Sequence, residues 1–433
     1  MRLLGILSGF AALLGAGQFV QADIKQLPLP ASCSGVSSLR FPGTVASGWS
    51  VMKIAGGLTG VRTVTWDING HLLVAQAGKG ISVHTFGDNG CINSTSMLIS
   101  NVQLNHGLAL TPDSKTLYAS GERTVWSWTY DPVARTVSNQ KTVVTGIDSG
   151  IHSTRNLLVV KSQPNQVLVQ VGSNANLDMQ AAQASTGRAI IKIFDMSAVP
   201  ASGYDYKTAG QVFAYGLRNE IGFIQDPAGI VWGVENSGDD FRLNNQDIHT
   251  DNPAEKLNNL GDPLTARNVW YGYPTCFTVW SPINGLKTGS QFMLAAGNGV
   301  SSDADCASKS KGPRLSFQAH SAPIWNAFDA NATNMYVTFH GSWDRQPPTG
   351  FKVVEVPFTR LASGAYDPVA AADSTTGYKD IFSAPNPGGC TANGLTQSNC
   401  IRLTAASWDP AGRGLFIGSD NSAEGEIYIL SKK

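Results

Sequence analysis

Apolar positions in this chain gather into pairs of short runs, each pair split by a turn of Asp, Asn, Pro or Gly, and the arrangement recurs six times. The copies are Thr63–Val74, Gly107–Tyr118, Asn156–Val169, Ile221–Trp232, Trp325–Val337 and Ala405–Phe416. β-Branched and aromatic residues flank residues that turn readily, so each copy predicts two antiparallel strands joined by a tight turn. Such a hairpin cannot bury both of its faces alone. Copies spaced by about 45 to 100 residues therefore predict a radial array in which neighbours cover one another. Six units predict an all-β fold, a six-bladed β-propeller. The final apolar run, Gly425–Leu430, is placed to close the ring in a blade that also uses N-terminal residues.

Spacing between copies is uneven. The stretches Val234 to Ser321 and Ser342 to Leu403 carry long insertions with Gly, Pro, Asn and two cysteine pairs. Loops of that length in a compact ring usually carry function, and they are expected to lie over one mouth of the ring.

Residues 1–22 have a basic start at Arg2, a short apolar core and small residues ending at Ala22, the pattern of a secretory leader. Residues 23–433 are then expected to form a single propeller domain, secreted and extracellular. No later segment offers the roughly 20 apolar residues of a membrane span. Six cysteines suit an oxidising compartment. Pairing sequence neighbours would join Cys33 to Cys91, Cys276 to Cys306 and Cys390 to Cys400, one of about 15 possible connectivities. Asn93 and Asn331 begin tripeptides that accept N-linked sugar in a eukaryotic glycoprotein.

Basic and acidic residues balance at 31 each, so no field exists to hold a nucleic acid. Only 14% of residues are charged and 46 are Gly, which suits many short strands rather than amphipathic helices.

Four polar clusters sit where the repeated hairpins begin or end: Gly150–Arg155, Tyr215–Glu220, Glu235–Asp240, and His340 through Lys352. With His152 three residues before Arg155, Gly172-Ser-Asn174, Gly216-Leu-Arg218-Asn219, Tyr271-Gly-Tyr-Pro274 and His340-Gly-Ser-Trp343, the chain resembles the soluble quinoprotein sugar dehydrogenases. These enzymes use pyrroloquinoline quinone, PQQ, and the resemblance is to their sorbosone-dehydrogenase-like, fungal pyranose dehydrogenase branch. It runs over nearly the whole chain after the leader.

The resemblance implies that His152 is the base taking a proton from a sugar hydroxyl while hydride passes to the quinone. The plainer role for such a histidine is a hydrogen bond between blades. Arg218 is implied to stabilise charge on the reduced cofactor, and Asn219 to hydrogen-bond it. The three carboxyl groups of the quinone call for cations, and Arg62, His106, His320, His340, Arg345, Lys352 and Arg402 are the candidates. The loop with Ser237, Gly238, Asp239 and Asp240 resembles the family's calcium loop, although bacterial relatives carry a Gly-Pro pair where this chain has Ser237-Gly238. Asp344 stands where many relatives have Asn and is expected to point away from an anionic cofactor. Trp343 either stacks on a ring in the site or is buried in a blade.

The activity so implied is oxidation of a pyranose or aldose, with electrons passed to an external acceptor such as a haem protein, a copper oxidoreductase or a quinone. Two alternatives share the scaffold, a calcium-dependent lactonase and a non-catalytic binding module. The cationic residues disfavour the first, and His152, Arg218 and Asn219 the second.

Overall fold

In the structure, a computed structural model, residues 24–393 and 396–433 are described, and the expected leader lies outside them. The six repeated hairpins are the first and second strands of six antiparallel sheets arranged as a β-propeller. Blade 1 contains Val61–Trp66, Leu72–Gln76, Gly80–Phe86 and Ile92–Ser100, and blade 2 contains Leu104–Leu110, Thr116–Gly121, Val125–Asp131 and Thr136–Thr145. Blade 3 contains Leu157–Val159, Gln166–Val171, Ile190–Asp195 and Gln211–Tyr215, and blade 4 contains Glu220–Gln225, Val231–Glu235, Glu255–Gly261 and Leu315–Phe317. Blade 5 contains Pro323–Phe328, Asn334–Phe339, Lys352–Arg360 and Lys379–Ser383. Blade 6 joins Leu403–Trp408, Leu415–Ser419 and Gly425–Lys432 to the N-terminal strand Trp49–Leu58, with Met52 opposite Ile429. The predicted closure of the ring is observed.

Acidic side chains fix the turns inside the hairpins. Asp67 Oδ1 accepts from the backbone N–H groups of Asn69 and His71, and Gly70 takes the left-handed φ of 79° that completes the turn. Asp226 does the same for Ala228 and Ile230, with Gly229 at 87°. In blade 6, Asp409 accepts from Ala411 and Arg413, with Gly412 at 85°. These turns set the register, for example Val64 opposite Val74 and Ile224 opposite Trp232.

Each second strand is covered on both faces by neighbouring blades. Leu72–Gln76, Val231–Glu235 and Leu415–Ser419 are accordingly buried at every residue. The core consists of apolar layers between blades, such as Leu73, Val83, Leu117 and Trp128 between blades 1 and 2, and Trp232, Val234, Val337 and Val354 between blades 4 and 5. A further layer between blades 6 and 1, with Val64, Val74, Phe416 and Ile427, closes the circle.

The three disulfides join Cys33 to Cys91, Cys276 to Cys306 and Cys390 to Cys400. The insertions only partly cover one mouth. Residues 236–254, 340–351 and 384–402 lie at the end of the blades opposite the acidic turns, whereas residues 361–378 lie at the other end of blade 5. Residues 262–314 wrap around blades 3 and 4, where Val269–Trp270 pairs with Ala214–Tyr215. That path follows from its apolar residues, since Tyr273, Phe277 and Phe292 bury themselves against Phe241 and Ile248. Among the described residues no helix is long and apolar enough to cross a membrane.

Candidate functional site

The ring brings two kinds of position to one mouth: residues that start a first strand and residues that follow a second strand. They enclose a cavity of about 430 Å³, within the usual range for small-molecule sites, about 300–1,000 Å³. Strand starts supply Arg62, His152, Arg218, Asn219, His320 and Arg402, and strand exits supply Ser237, Asp239, His340, Trp343, Asp344 and Asp420.

His152 directs Nδ1 at the carbonyl oxygen of Ser173, 2.9 Å away, and at its hydroxyl, 3.1 Å away. The carbonyl can only accept, so Nδ1 carries the proton and Nε2 keeps its lone pair. Burial, aided by the Arg218 guanidinium, lowers the His152 pKa to about 3, so the ring is neutral near pH 7. Arg155 lies behind this loop, fully buried, and donates to the backbone carbonyls of Glu122, Asp148, His152 and Thr154. It shapes the main chain that carries His152 and does not reach the cavity.

Arg218 is 3% exposed and engages four of its five N–H groups. Nε meets the Asn176 carbonyl at 3.1 Å, Nη1 the Ser237 carbonyl, and Nη2 both Asn176 Oδ1 at 2.9 Å and Asp239 Oδ2 at 2.7 Å. Asn176 is steadied by the Tyr273 hydroxyl, which donates to the Asn176 or Ala175 carbonyl. Asn219 accepts from Gln170 through Oδ1 at 3.3 Å, leaving its amide N–H groups to the cavity.

Asp420 accepts from Arg62 Nη1 at 2.6 Å and His340 Nε2 at 2.7 Å. Burial opposes its charge, but His340 and Arg62 outweigh burial and bring its pKa down to about 2. Burial and Arg402 lower His340 to about 4 despite Asp420. Arg402 Nη1 donates to the carbonyls of His340 and Gly341. On the opposite wall, Glu255 caps the backbone N–H groups of Ser237 and Ala322, and burial pushes its pKa up to about 7. His320 Nδ1 lies 3.2 Å from Asp344 Oδ2 and 3.8 Å from Asp239 Oδ1. Burial works against its charge, but Asp239, Asp344 and Glu255 outweigh it and lift the pKa to about 9.

Several expected residues stand elsewhere. Arg345 braces one loop on another through the Thr250 carbonyl, the Pro347 carbonyl and Asp251, outside the cavity. Lys352 starts the third strand of blade 5, two strands from the axis, and pairs with Asp380 at 2.8 Å. His106 is fully buried behind Arg62, with Nδ1 accepting from Arg62 Nε at 3.3 Å. Gly238 packs toward the Phe241 ring, and Asp240 turns outward at φ 55° with its side chain 75% exposed. Asp344 does not point away: its buried side chain forms part of the cavity wall. Trp343 is 60% exposed at the rim rather than buried in a blade.

Sequence reasoning passed over Asp420, Asn176, Glu255 and His249. Asp420 had a usable signal, because it follows the second strand of the sixth repeat as Asp239 follows that of the fourth. Glu255 and His249 sit in or next to an insertion with no periodic pattern.

A closed six-bladed ring with a polar cavity at one end of its axis defines a small-molecule-binding propeller. Within that class the chain belongs to the TrAA12-like family, whose model matches residues 43–433. It is 39% identical over 411 residues to a pyrroloquinoline quinone-dependent pyranose dehydrogenase of Coprinopsis cinerea, covering 93% of this chain but only 56% of that protein. The solved holo form of the PQQ domain of the C. cinerea pyranose dehydrogenase superposes with a TM-score of 0.87 at 39% identity, covering 92% of this chain and 99% of that one. The calcium structure of the Trichoderma reesei enzyme of carbohydrate-active family AA12 superposes with a TM-score of 0.83 at 35% identity, covering 92% and 99%.

Proposed function

We propose that this protein is a quinoprotein dehydrogenase that oxidises a pyranose or related aldose, using pyrroloquinoline quinone and calcium. The observation that carries this reading is His152, a neutral imidazole whose Nδ1 is tied to Ser173 and whose Nε2 is open to a cavity shared with Arg218. A base of that kind can take the proton from a sugar hydroxyl. The relatives named above support the choice of quinone and sugar.

The donor set suits both groups. Arg62, Arg218, Arg402 and Asn219 would hold the quinone, whose carboxyl groups match guanidinium forks. Arg218 already faces Asp239, Arg62 faces Asp420 and His320 faces Asp344, so the cavity's fixed charges nearly cancel, and a tricarboxylate would leave a negative excess. A divalent cation offsets that excess. Ser237 Oγ, buried with no hydrogen-bond partner among the described residues, and the Asp239 carboxylate are oxygen donors of the type that calcium prefers. When bound, the quinone accepts two electrons and calcium polarises the carbonyl that is reduced. Around it, His152 takes the proton, Arg218 presents a fixed positive charge, and Asn219 and Arg402 orient the ring system.

The same reading makes the protein exported through residues 1–22, a destination that three disulfides favour. Asn93 and Asn331 are both exposed and would carry sugar there. Electrons would leave to an external acceptor.

The test is dye reduction by the full chain given quinone, CaCl₂ and a panel of pyranoses. Reduction that needs sugar, quinone and calcium together is expected. Quinone uptake by calorimetry without dye reduction for any sugar would overturn the reading.

A further inference from the structure

The loop after the second strand of blade 4 and the loop after the second strand of blade 5 meet above the start of blade 5. Three side chains converge there. One ring nitrogen each of His249 and His320 and a carboxylate oxygen of Asp344 all lie within 4.8 Å of one another. Asp344 Oδ2 is 3.2 Å from His320 Nδ1 and 3.9 Å from His249 Nδ1.

Closeness has not produced hydrogen bonds. Asp344 Oδ2 and His249 Nδ1 are both buried atoms with no hydrogen-bond partner among the described residues, and the Asp344 side chain is only 4% exposed. A buried polar atom left so costs about 1–3 kcal/mol, which natural proteins seldom tolerate twice at one spot. His320 is pre-set from behind, because Nε2 donates to the carbonyls of His249 and Asn252. A backbone carbonyl on the far nitrogen is the usual support of a metal-bound histidine, since it turns the other nitrogen's lone pair to the metal.

We propose that His249, His320 and Asp344 form a site for a divalent transition metal of the zinc class, distinct from the oxygen donors Ser237 and Asp239. Two imidazoles and one carboxylate select zinc-like ions over calcium, which takes oxygen ligands. With metal–ligand bonds of about 2.0–2.2 Å, tetrahedral ligand atoms stand roughly 3.3–3.6 Å apart, so the observed spacing needs only small side-chain movements. Asp239 Oδ1, 3.8 Å from His320 Nδ1, and Asp240 Oδ1, 3.9 Å from His249 Nδ1, flank the point of convergence. The competing explanation, an ion pair of protonated His320 with Asp344, gives His249 Nδ1 no partner. A metal would clamp residues 236–254 to residues 340–351 and add positive charge to the cavity wall, whether or not the quinone reading holds.

The test uses the full chain, stripped with chelator, without quinone and with CaCl₂ in excess. Titration with ZnCl₂ in a calorimeter is expected to show one equivalent bound, and cobalt(II) in its place to give the absorption of a tetrahedral ion. His249→Gln and Asp344→Asn should each weaken zinc by tenfold or more. His249 is the safer variant, because its ring makes no hydrogen bond among the described residues and its side chain is 21% exposed. If Asp344→Asn does not fold, His249→Gln alone decides. No zinc uptake beside calcium, or unchanged affinity in His249→Gln, would overturn the site.

Discussion

The Arg155 guanidinium donates to the backbone carbonyl of His152, so the proposed base is fixed through its main chain as well as through its ring. Both anchors leave Nε2 as the nitrogen that meets the cavity. His152→Ala is expected to bind quinone with little change in Kd and to lose about 10²–10⁴-fold in kcat, the usual loss for a general base. Unchanged turnover in steady-state assays would remove His152 from the reaction.

Arg218 ties two loops, at Asn176 and at Ser237 and Asp239, with a planar fork that a lysine cannot reproduce. Arg218→Lys is expected to keep the charge but lower both quinone affinity and kcat. Arg218→Ala would also strip Asp239 of its guanidinium partner, leaving it only His320 at 3.8 Å, and destabilise the fold by about 3 kcal/mol, as when one partner of a buried pair is lost. Calorimetry and denaturant melts of the two variants separate these effects.

His84 lies in blade 1, away from the cavity, bonded to the hydroxyls of Ser82 and Thr95. Burial lowers its pKa from 6.5 to about 4. The unfolded chain therefore binds this proton more tightly, and the histidine favours unfolding progressively as pH falls from 6.5 to 4. Its contribution is intact above pH 6.5 and shrinks by roughly 3 kcal/mol across that window. Urea midpoints at pH 4 and pH 7 should differ less in His84→Gln than in the native chain; an equal difference would contradict this assignment.

Cys33 and Cys91 join the N-terminal segment to blade 1 across 58 residues. Chain-entropy arguments give such a loop about 4 kcal/mol of stabilisation. The double variant Cys33→Ser, Cys91→Ser is expected to unfold at lower denaturant concentration while keeping its cavity and the proposed sugar oxidation, which melts and dye assays can check.

The ring was legible in the sequence because Asp67, Asp226 and Asp409 announce turns between runs that are apolar enough to be covered on both sides. Its cavity lining was legible where a residue borders a first strand, as His152, Arg218 and His320 do, or follows a second one, as Asp239 and His340 do. Arg345 and Lys352 misled because a charge near a hairpin exit reads alike in sequence whether it faces the axis or lies two strands out. Asp344 was misjudged for a related reason: its environment is set by His320 and His249, which are distant in sequence and reach it through loops without periodicity. Glu255 carries no local mark at all, since its role is to cap backbone groups of Ser237 and Ala322 that only the folded ring brings near.

Blade 6 draws one strand from residues 49–58 and three from residues 403–432. During synthesis the early strand must therefore wait, its edge unsatisfied, until residues 403–432 have left the ribosome. A product cut short before Leu403 would expose that edge permanently and invite pairing between molecules. Circle completion thus doubles as a check that the three late strands of residues 403–432 have been made.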